Sequence, residues 1–248
     1  MSNILITGAA GFLGSQYSNF FSKKHNVFAL DINFKKLRLL KKNNTNISIF
    51  KVDISNQSEI KKIFQQLKKK NIFIDVLINN AAIDSVPNKK KNSITLKKWN
   101  NEIAVGLTGS FLMIKFFGEE MVKKGGGRIV NVGSDLSVIA PNQDIYKNTF
   151  SDFVKPVTYS VIKHGLLGMT KYYASLYADK NVNVNMLSPG PIYNNQDKSF
   201  IKELVKFIPK KRMGSQQELL SALEFLINKD NTYMTGQNLI IDGGRTVI

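Results

Sequence analysis

Short apolar runs alternate with longer segments of helical periodicity from one end of the chain to the other. The runs are apolar at nearly every position, as in strands that are covered on both faces. This alternation predicts a parallel sheet with helices on both sides. The predicted strands are residues 3–7, 26–31, 47–52, 73–79, 127–133, 182–188 and 238–241. The predicted helices are residues 12–24, 34–42, 56–70, 95–123, 157–179, 199–207 and 215–227.

The chain has 248 residues, of which 43% are hydrophobic. That is enough for one sizeable core, and no repeat or linker divides residues 1–248 into separate parts. We therefore expect a single α/β domain with a doubly wound, seven-stranded parallel sheet. Two irregular stretches interrupt the pattern. Residues 135–156 are expected to form an ordered loop beside the site. The second irregular stretch, residues 189–198, follows a predicted strand and begins an expected substrate-loop region at residues 189–212.

The charge is strongly basic, with 35 basic and 18 acidic residues and a net charge of +17. Nearly all the basic residues are lysines, which occur in clusters such as Lys68–Lys70 and Lys89–Lys91. Arginine, which reads base edges better than lysine, occurs at only four positions. We therefore expect a solvated lysine surface and no nucleic-acid partner. The alternative is that the basic residues create an electrostatic field that attracts anionic substrates.

The residues and segments that the chain lacks exclude several other kinds of site and cellular location. It has no cysteine and two histidines, so we expect neither disulfides nor a metal site. No apolar stretch approaches the roughly 20 residues that span a bilayer. Residues 1–7 lead into glycines without a basic leader. We expect a soluble, cytoplasmic protein without a membrane partner.

A glycine-rich turn joins the first predicted strand to the first helix. Gly8, Gly11 and Gly14 let the backbone turn tightly and approach a pyrophosphate closely, while the helix N-terminus at Phe12 and Leu13 offers N–H groups to the phosphates. A plain strand-to-helix turn is the alternative interpretation. The strand before it and the helix after it favour a nucleotide-binding turn.

An acidic residue closes the second predicted strand. Asp31 comes 17 residues after Gly14 and is followed by Ile32. A carboxylate at this place accepts hydrogen bonds from both adenosine ribose hydroxyls and repels a 2′-phosphate. The sequence therefore predicts a preference for NAD(H) over NADP(H), which the nearby Lys35, Lys36 and Arg38 could weaken.

Further polar and small residues end the third and fourth predicted strands. Ligands of open α/β sheets lie across the carboxyl ends of the strands. We therefore expect the cofactor to contact the following residues: Asp53, Ile54, Asn80, Ala81 and Ala82.

A tyrosine and a lysine begin the helix predicted over residues 157–179. Tyr159 and Lys163 have the i, i+4 spacing that places both on one helix face. An ammonium beside a phenol favours the phenolate, which makes tyrosine usable as an acid or base near neutral pH. Ser134, at the end of the fifth strand, could hold the reacting oxygen. The sequence predicts these three as catalytic residues.

Together these motifs resemble the short-chain dehydrogenase/reductase family over essentially the whole chain. The matching segments are residues 7–14, 53–54, 79–82, 127–134, 159–163, 189–192 and 234–244. The resemblance implies a Rossmann domain that binds NAD(H) or NADP(H) and a small-molecule substrate. It also implies a homodimer or homotetramer formed through the long helices 95–123 and 157–179 and the C-terminal segment.

The resemblance implies a role for each matched residue. Tyr159 would be the catalytic acid/base, and Lys163 would bind the nicotinamide ribose and lower the pKa of Tyr159. Ser134 would hold the substrate carbonyl or hydroxyl. The backbone at Pro189 and Ile192 would fix the nicotinamide. The reaction expected is hydride transfer between a secondary alcohol and a ketone.

Three departures from the family pattern are visible. Gly106 stands where such proteins carry an Asn of a proton relay, so a water or another side chain would have to replace it. The glycine spacing of residues 7–14 is more typical of the family's longer sugar-nucleotide enzymes. Ser134 and Tyr159 are 25 positions apart, where roughly a dozen is usual. Tyr146 lies near the usual spacing, but Phe150 replaces the lysine partner, so we reject Tyr146 as the acid/base.

The insert 135–156 and the ending 242–247 resemble family members from bacterial surface-polysaccharide and flagellin-glycan pathways. We therefore expect a sugar or a sugar derivative as substrate. The alternative activity is that of a 3-oxoacyl-thioester reductase, which is expected to prefer NADPH. An alternative from a different class of function is a catalytically weak nucleotide-binding protein, which Gly106 favours.

Overall fold

Seven parallel strands form one sheet in the computed structural model, which describes residues 1–42, 44–83, 94–147, 149–150 and 153–248. The strand order is β3-β2-β1-β4-β5-β6-β7. The strands are β1 (Asn3–Thr7), β2 (Asn26–Asp31), β3 (Ile47–Lys51), β4 (Val76–Asn79), β5 (Gly127–Val132), β6 (Val182–Pro189) and β7 (Asn238–Ile241). The predicted doubly wound sheet is confirmed. The lysine cluster Lys89–Lys91 lies outside the described residues.

The helices follow the predicted order. They are α1 (Phe12–Phe21), α2 (Phe34–Lys42), α3 (Gln57–Lys69), α4 (Leu96–Ile103), α5 (Gly109–Met113), α6 (Glu119–Lys124), α7 (Asp144–Lys147), α8 (Val157–Tyr177), α9 (Lys198–Leu204) and α10 (Leu220–Ile227). Side-chain oxygens of Asn56, Thr95 and Asp197 accept backbone N–H groups at the first turns of α3, α4 and α9. These caps satisfy donors that a helix start leaves without a partner. No described helix is long and apolar enough to cross a membrane.

The sheet is buried on both faces, as the apolar strands predict. Successive side chains of a strand point to opposite faces. In β1, Leu5 packs into one core with residues of α3 and α8, while Ile4 and Ile6 pack into a second core with residues of α1, α2 and α10. Each face therefore has its own layer of helices. This is the single-domain, Rossmann-like arrangement that the sequence predicts.

The fourth strand is shorter than predicted. We predict residues 73–79, but β4 begins at Val76. The residues before it remain bonded to β1, because the Asp75 N–H donates to the Asn3 carbonyl, the Asn3 N–H donates to the Asp75 carboxylate and Asn3 Nδ2 donates to the Phe73 carbonyl.

The predicted helix 95–123 is interrupted by two five-residue π-helical turns, Ala104–Thr108 and Ile114–Gly118, which join α4, α5 and α6. Glycines at these turns allow close packing. A Cβ at Gly109 would lie 2.8 Å from side-chain atoms of Ile54. Single π-helical turns inside α-helices are frequent at functional sites.

The insert 135–156 is ordered where the structure describes it, and positions 148, 151 and 152 lie outside the described residues. It contains a 3₁₀ turn, Asp135–Ser137, and the short helix α7. Its aromatic side chains pack against the segment around α9 in a third apolar cluster. We call this group the aromatic wall; its buried members are Ile145, Tyr146, Phe153, Phe200, Leu204, Ile208 and Met213.

Candidate active site

A cavity of about 690 Å³ lies across the carboxyl ends of the strands. In the strand order, β1 separates β2 and β3 on one side from β4 to β7 on the other, which is the switch point where open α/β sheets bind ligands. We call the part lined by Gly8, Gly11, Asp31 and Asp53 the glycine-turn end. The part lined by Ser134, Tyr159 and residues of the insert is the tyrosine end.

The glycine turn places the start of α1 against the cavity. Gly8 has φ +62°, a conformation that favours glycine, and a Cβ there would lie 2.8 Å from Ala81 Cα. Gly11 is the N-cap of α1 and has no side chain to occupy the first N–H groups of the helix. Gly11, Phe12 and Leu13 line the cavity, so these donors and the positive end of the helix dipole fit a pyrophosphate.

Gly14 has a packing role in the structure. A Cβ there would lie 2.1 Å from the Gly8 carbonyl oxygen and 2.9 Å from Ala9 Cα. Gly14 is buried and does not line the cavity, in contrast to the other predicted cofactor residues. It holds α1 close to the turn.

Asp31 is fixed at the end of β2 by two backbone donors. Its Oδ2 accepts the Ala10 N–H at 3.0 Å and its Oδ1 accepts the Asn33 N–H at 2.8 Å. A carboxylate oxygen has two lone pairs, so each oxygen can still accept from a ribose hydroxyl. Asp31 and Ile32 both line the glycine-turn end. The residues therefore fit the adenosine half of a dinucleotide.

The predicted contacts after β3 and β4 also lie in the cavity wall: Asp53, Ile54, Asn80, Ala81 and Ala82. Asn80 has a structural role as well, because its Nδ2 donates to the carbonyls of Thr7 and Gly8 at 3.0 and 3.2 Å. Asp53 Oδ1 accepts the N–H and the hydroxyl of Ser55. These bonds hold the strand-end loops in the shape that surrounds the cavity.

Tyr159 and Lys163 face the tyrosine end from the first two turns of α8. The Lys163 ammonium lies 5.6 Å from the centroid of the Tyr159 ring. Lys163 is 5% exposed, and its Nζ donates to the Val132 carbonyl at 2.9 Å. The end of β5 therefore fixes the lysine beside the tyrosine ring, as the i, i+4 spacing predicts.

Ser134 belongs to a buried polar chain that reaches the C-terminus. Its Oγ donates to Asp135 Oδ1 at 2.8 Å and accepts the Leu136 N–H at 3.2 Å. Asp135 Oδ2 in turn accepts Arg245 Nη1 at 2.5 Å, and the two side chains are 4% and 7% exposed. Asp135 and Arg245 line the cavity beside Ser134. The hydroxyl is thus oriented by an ion pair between residues 110 positions apart.

The end of β6 and the loop after it also line the cavity. Pro189 and Ile192 line it, as predicted. The loop is held by backbone bonds, because the Gly190 N–H donates to the Ile241 carbonyl at 2.9 Å and Ile192 bridges to Gly214. These bonds connect the loop to β7 and to the segment at Gly214.

Gly106 lies inside the first π-helical turn and does not line the cavity, whereas Asn101 and Val105 do. Its carbonyl accepts the Ser110 hydroxyl at 3.1 Å. A Cβ at Gly106 would lie 2.8 Å from Ile162 Cγ2. Ile162 would therefore have to shift to admit the Asn that the resemblance implies at this position.

Sequence reasoning missed Asp135, Arg245 and Lys155 as residues of the cavity wall. Asp135 directly follows Ser134 and Lys155 shortly precedes Tyr159, so their positions were a usable signal. Arg245 had no local signal. Tyr146, rejected as the acid/base, lies in the cavity wall with its ring 5.4 Å from those of Phe153 and Phe200.

The comparison with known families agrees with this geometry. Residues 18–246 match the family model described as "Enoyl-(Acyl carrier protein) reductase". The chain belongs to the short-chain dehydrogenase/reductase family. It is therefore an oxidoreductase that acts on alcohol or ketone groups with a nucleotide cofactor.

Individual relatives span nearly the whole chain. An NAD-dependent glycerol dehydrogenase of Listeria innocua is 32% identical over 98% of this chain and 93% of its own length. A 3-oxoacyl-[acyl-carrier-protein] reductase of Buchnera aphidicola is 31% identical over 97% of this chain and 95% of its own. The crystal structure of a short-chain dehydrogenase from Leptospira borgpetersenii with bound NAD⁺ matches with a TM-score of 0.86 and 32% identity, covering 99% of this chain and 92% of that one.

Proposed function

We propose that this protein is an NAD(H)-preferring dehydrogenase that interconverts a secondary alcohol and a ketone on a sugar, polyol or related derivative. The observation that carries the proposal is one cavity with Asp31 at its glycine-turn end and Ser134, Tyr159 and Lys163 at its tyrosine end. The Listeria glycerol dehydrogenase, which is described as NAD-dependent, supports both the cofactor and a polyhydroxylated substrate.

In this proposal Tyr159 is the acid/base. During oxidation its oxygen takes the proton of the substrate hydroxyl, and during reduction it returns that proton. A bound nicotinamide would supply or accept the hydride at C4. Lys163 provides a cation beside the Tyr159 ring and a donor for ribose hydroxyls. Ser134, oriented by Asp135, holds the substrate oxygen. Pro189 and Ile192 support the nicotinamide ring.

The cofactor preference rests on Asp31. Its carboxylate is held at the end of β2 by the N–H groups of Ala10 and Asn33, so it cannot turn away from a ribose without losing two hydrogen bonds. A 2′-phosphate at that place would meet a fixed negative charge. Adenosine ribose with free hydroxyls is the better ligand.

The test is NAD(P)H-linked turnover followed by near-ultraviolet absorbance. The substrates are glycerol, threitol, ketosugars and sugar nucleotides, beside a 3-oxoacyl thioester, each with both cofactors. We expect turnover with the polyhydroxylated substrates and a higher kcat/KM with NAD(H). Sugar nucleotides as preferred substrates would support the resemblance of the insert to surface-glycan enzymes. Turnover with the thioester alone, or preference for NADP(H), would refute the proposal.

A 3-oxoacyl-thioester reductase is the second candidate, and the Buchnera relative favours it. The aromatic wall would also suit an acyl chain. Asp31 argues against this candidate, because a 3-oxoacyl-thioester reductase is expected to use NADPH and the Asp31 carboxylate would repel the 2′-phosphate of NADPH. The weak nucleotide-binding alternative rests on Gly106, whose place Ile162 fills. NADH binding without turnover on any substrate would support that alternative.

We also propose that the protein forms a homodimer or homotetramer through its long helices. Leu112, Met113 and Ile114 are buried in the chain's own core. Several apolar side chains on α5 and α8 nevertheless remain exposed: Phe111, Val161, Tyr172 and Leu176. Light scattering coupled to size exclusion tests this, and a monomer at micromolar concentration would refute it.

A further inference from the structure

Arg245 has hydrogen-bond donors that its ion pair with Asp135 does not use. A guanidinium carries five N–H donors in a fixed plane. In Arg245 one nitrogen, Nη1, donates to Asp135 Oδ2 at 2.5 Å. Within the described part of the chain, Nε and Nη2 have no acceptor, yet neither is among the polar atoms that are sealed from solvent. Because the buried Arg245 side chain lines the cavity, these donors are available to a bound molecule.

The Asp135 carboxylate beside it keeps room for one more donor. Its Oδ1 accepts the Ser134 hydroxyl and the Leu136 N–H, each at 2.8 Å, which occupies both lone pairs of that oxygen. Its Oδ2 accepts only Arg245 among the described residues, so one lone pair remains. The two side chains therefore present a donor and an acceptor side by side, while their charges offset each other. A neutral hydroxyl group, which both donates and accepts, matches this combination.

Contacts on two sides place this ion pair at the tyrosine end of the cavity. On one side, Asp135 bonds directly to the hydroxyl of Ser134, which is proposed to hold the reacting oxygen. On the other, the turn that leads into Arg245 packs on the aromatic wall, because a Cβ at Gly243 would lie 2.9 Å from Ile208 Cγ2. Only one carboxylate group separates the guanidinium from Ser134. One small ligand can therefore reach both through oxygens on adjacent carbons.

We infer that Arg245, together with Asp135, is a specificity-determining residue that binds a hydroxyl group on the carbon next to the reacting carbon. The substrate class is then vicinal polyols and the α-hydroxy ketones formed from them. This inference deepens the proposed function and rests on it, since Ser134 must hold the reacting oxygen. The C-terminal segment thereby serves substrate recognition in addition to the orientation of Ser134.

The test compares α-hydroxy ketones with ketones that lack the hydroxyl, in NADH-linked reduction. The pairs are hydroxyacetone with acetone and erythrulose with butan-2-one; if only larger sugars react, each is paired with its analogue deoxygenated next to the reacting carbon. We expect the hydroxylated member to have a kcat/KM higher by roughly tenfold or more, the usual size of a hydrogen bond to a charged group. Arg245→Lys keeps a cation for Asp135 but loses the planar fork of donors, so this ratio should fall roughly tenfold.

The change in the ratio separates recognition from a merely structural role, because a displaced Ser134 would slow both ketones of a pair alike. Arg212→Lys is the matched control, since Arg212 pairs with Glu218 outside the cavity wall, and it should keep the wild-type ratio.

NADH titration of every variant checks the fold, and Arg245→Gln replaces Arg245→Lys if the latter fails to bind NADH. A wild-type ratio near one, or a ratio that survives in the Arg245 variant, overturns the inference. A higher KM for NADH with an unchanged ratio would place Arg245 on the cofactor and overturn it as well. Wild-type turnover with the thioester alone, or with no substrate, refutes the proposed function and the inference with it.

Discussion

The two ends of the cavity are built in different ways. The glycine-turn end is made from one stretch of chain, Gly8 to Ala82, whose residues follow consecutive strands β1 to β4. The tyrosine end gathers the end of β5, the insert, the segment around α9 and the C-terminal Arg245. The glycine-turn end is thus formed by the residues that follow neighbouring strands, whereas the tyrosine end is assembled from segments that are distant in sequence. We infer that the first serves the cofactor shared by the family and the second serves the substrate of this protein.

The strongest test of that division is Tyr159→Phe. It should keep NADH affinity, because the glycine-turn end is unchanged, and lower kcat by about 10²- to 10⁴-fold, the usual contribution of general acid–base catalysis. Steady-state kinetics and NADH fluorescence titration measure the two effects. Tyr146→Phe is the control, since it removes a hydroxyl from the same cavity and should keep turnover. Unchanged turnover in Tyr159→Phe would remove Tyr159 from the acid/base role.

The second largest effect is expected when the ion pair between Asp135 and Arg245 at the tyrosine end is broken. Arg245→Met leaves the buried Asp135 carboxylate without its cation, which typically costs about 3–5 kcal/mol of stability. Denaturant unfolding should show this loss, and the remaining folded protein should have lower turnover because Ser134 loses its oriented acceptor. Pairing it with Asp135→Asn should recover part of the stability. The control is Arg212→Met, which breaks an exposed ion pair with Glu218 and should change stability little. Equal effects from both variants would contradict a special role for the buried pair.

A substitution at the glycine-turn end should change cofactor choice alone. Asp31→Asn removes the negative charge and keeps the shape, so the ratio of kcat/KM for NADH over NADPH should fall roughly tenfold. The KM for the second substrate should stay close to the wild-type value. Asp53→Asn at the end of β3 is the matched control and should alter the ratio less. If the ratio does not move in Asp31→Asn, another group, such as Lys35 or Lys36, sets the preference.

The smallest expected effect is a pH dependence away from the cavity. Burial lowers the pKa of His25, with further lowering by the N-terminal amine and Lys24. The unfolded chain then binds the proton more readily, so stability is present above the usual histidine pKa of about 6.5 and declines as pH falls below it. His25→Gln should flatten this acid-side decline in thermal unfolding. His164→Gln, exposed on α8, should leave it in place. A steeper decline in His25→Gln would show that the sign is wrong.

Much of the fold was readable from local pattern. Strand alternation predicted all seven strands of the sheet, and glycine and acidic residues after β1 and β2 predicted the residues at the glycine-turn end. The differences between the predicted and the observed elements concern the bounds or the internal form of single elements. β4 begins at Val76 rather than at residue 73, and the long fourth helix contains π-helical turns that periodicity does not distinguish.

By itself, the sequence determined the α/β class, the glycine-rich turn before α1 and the Tyr159–Lys163 pair, because each depends on residues that are neighbours in the chain or one helical turn apart. Only the tertiary structure joined Asp135 to Arg245, filled the place beside Gly106 with Ile162, and set Lys155 over the Tyr159 ring. The Asp135–Arg245 contact depends on how the C-terminal segment folds back onto the residues after β5, and the Ile162–Gly106 contact depends on how α8 packs against the first π-helical turn. No spacing in the chain encodes these two contacts, since each joins segments that are distant in sequence.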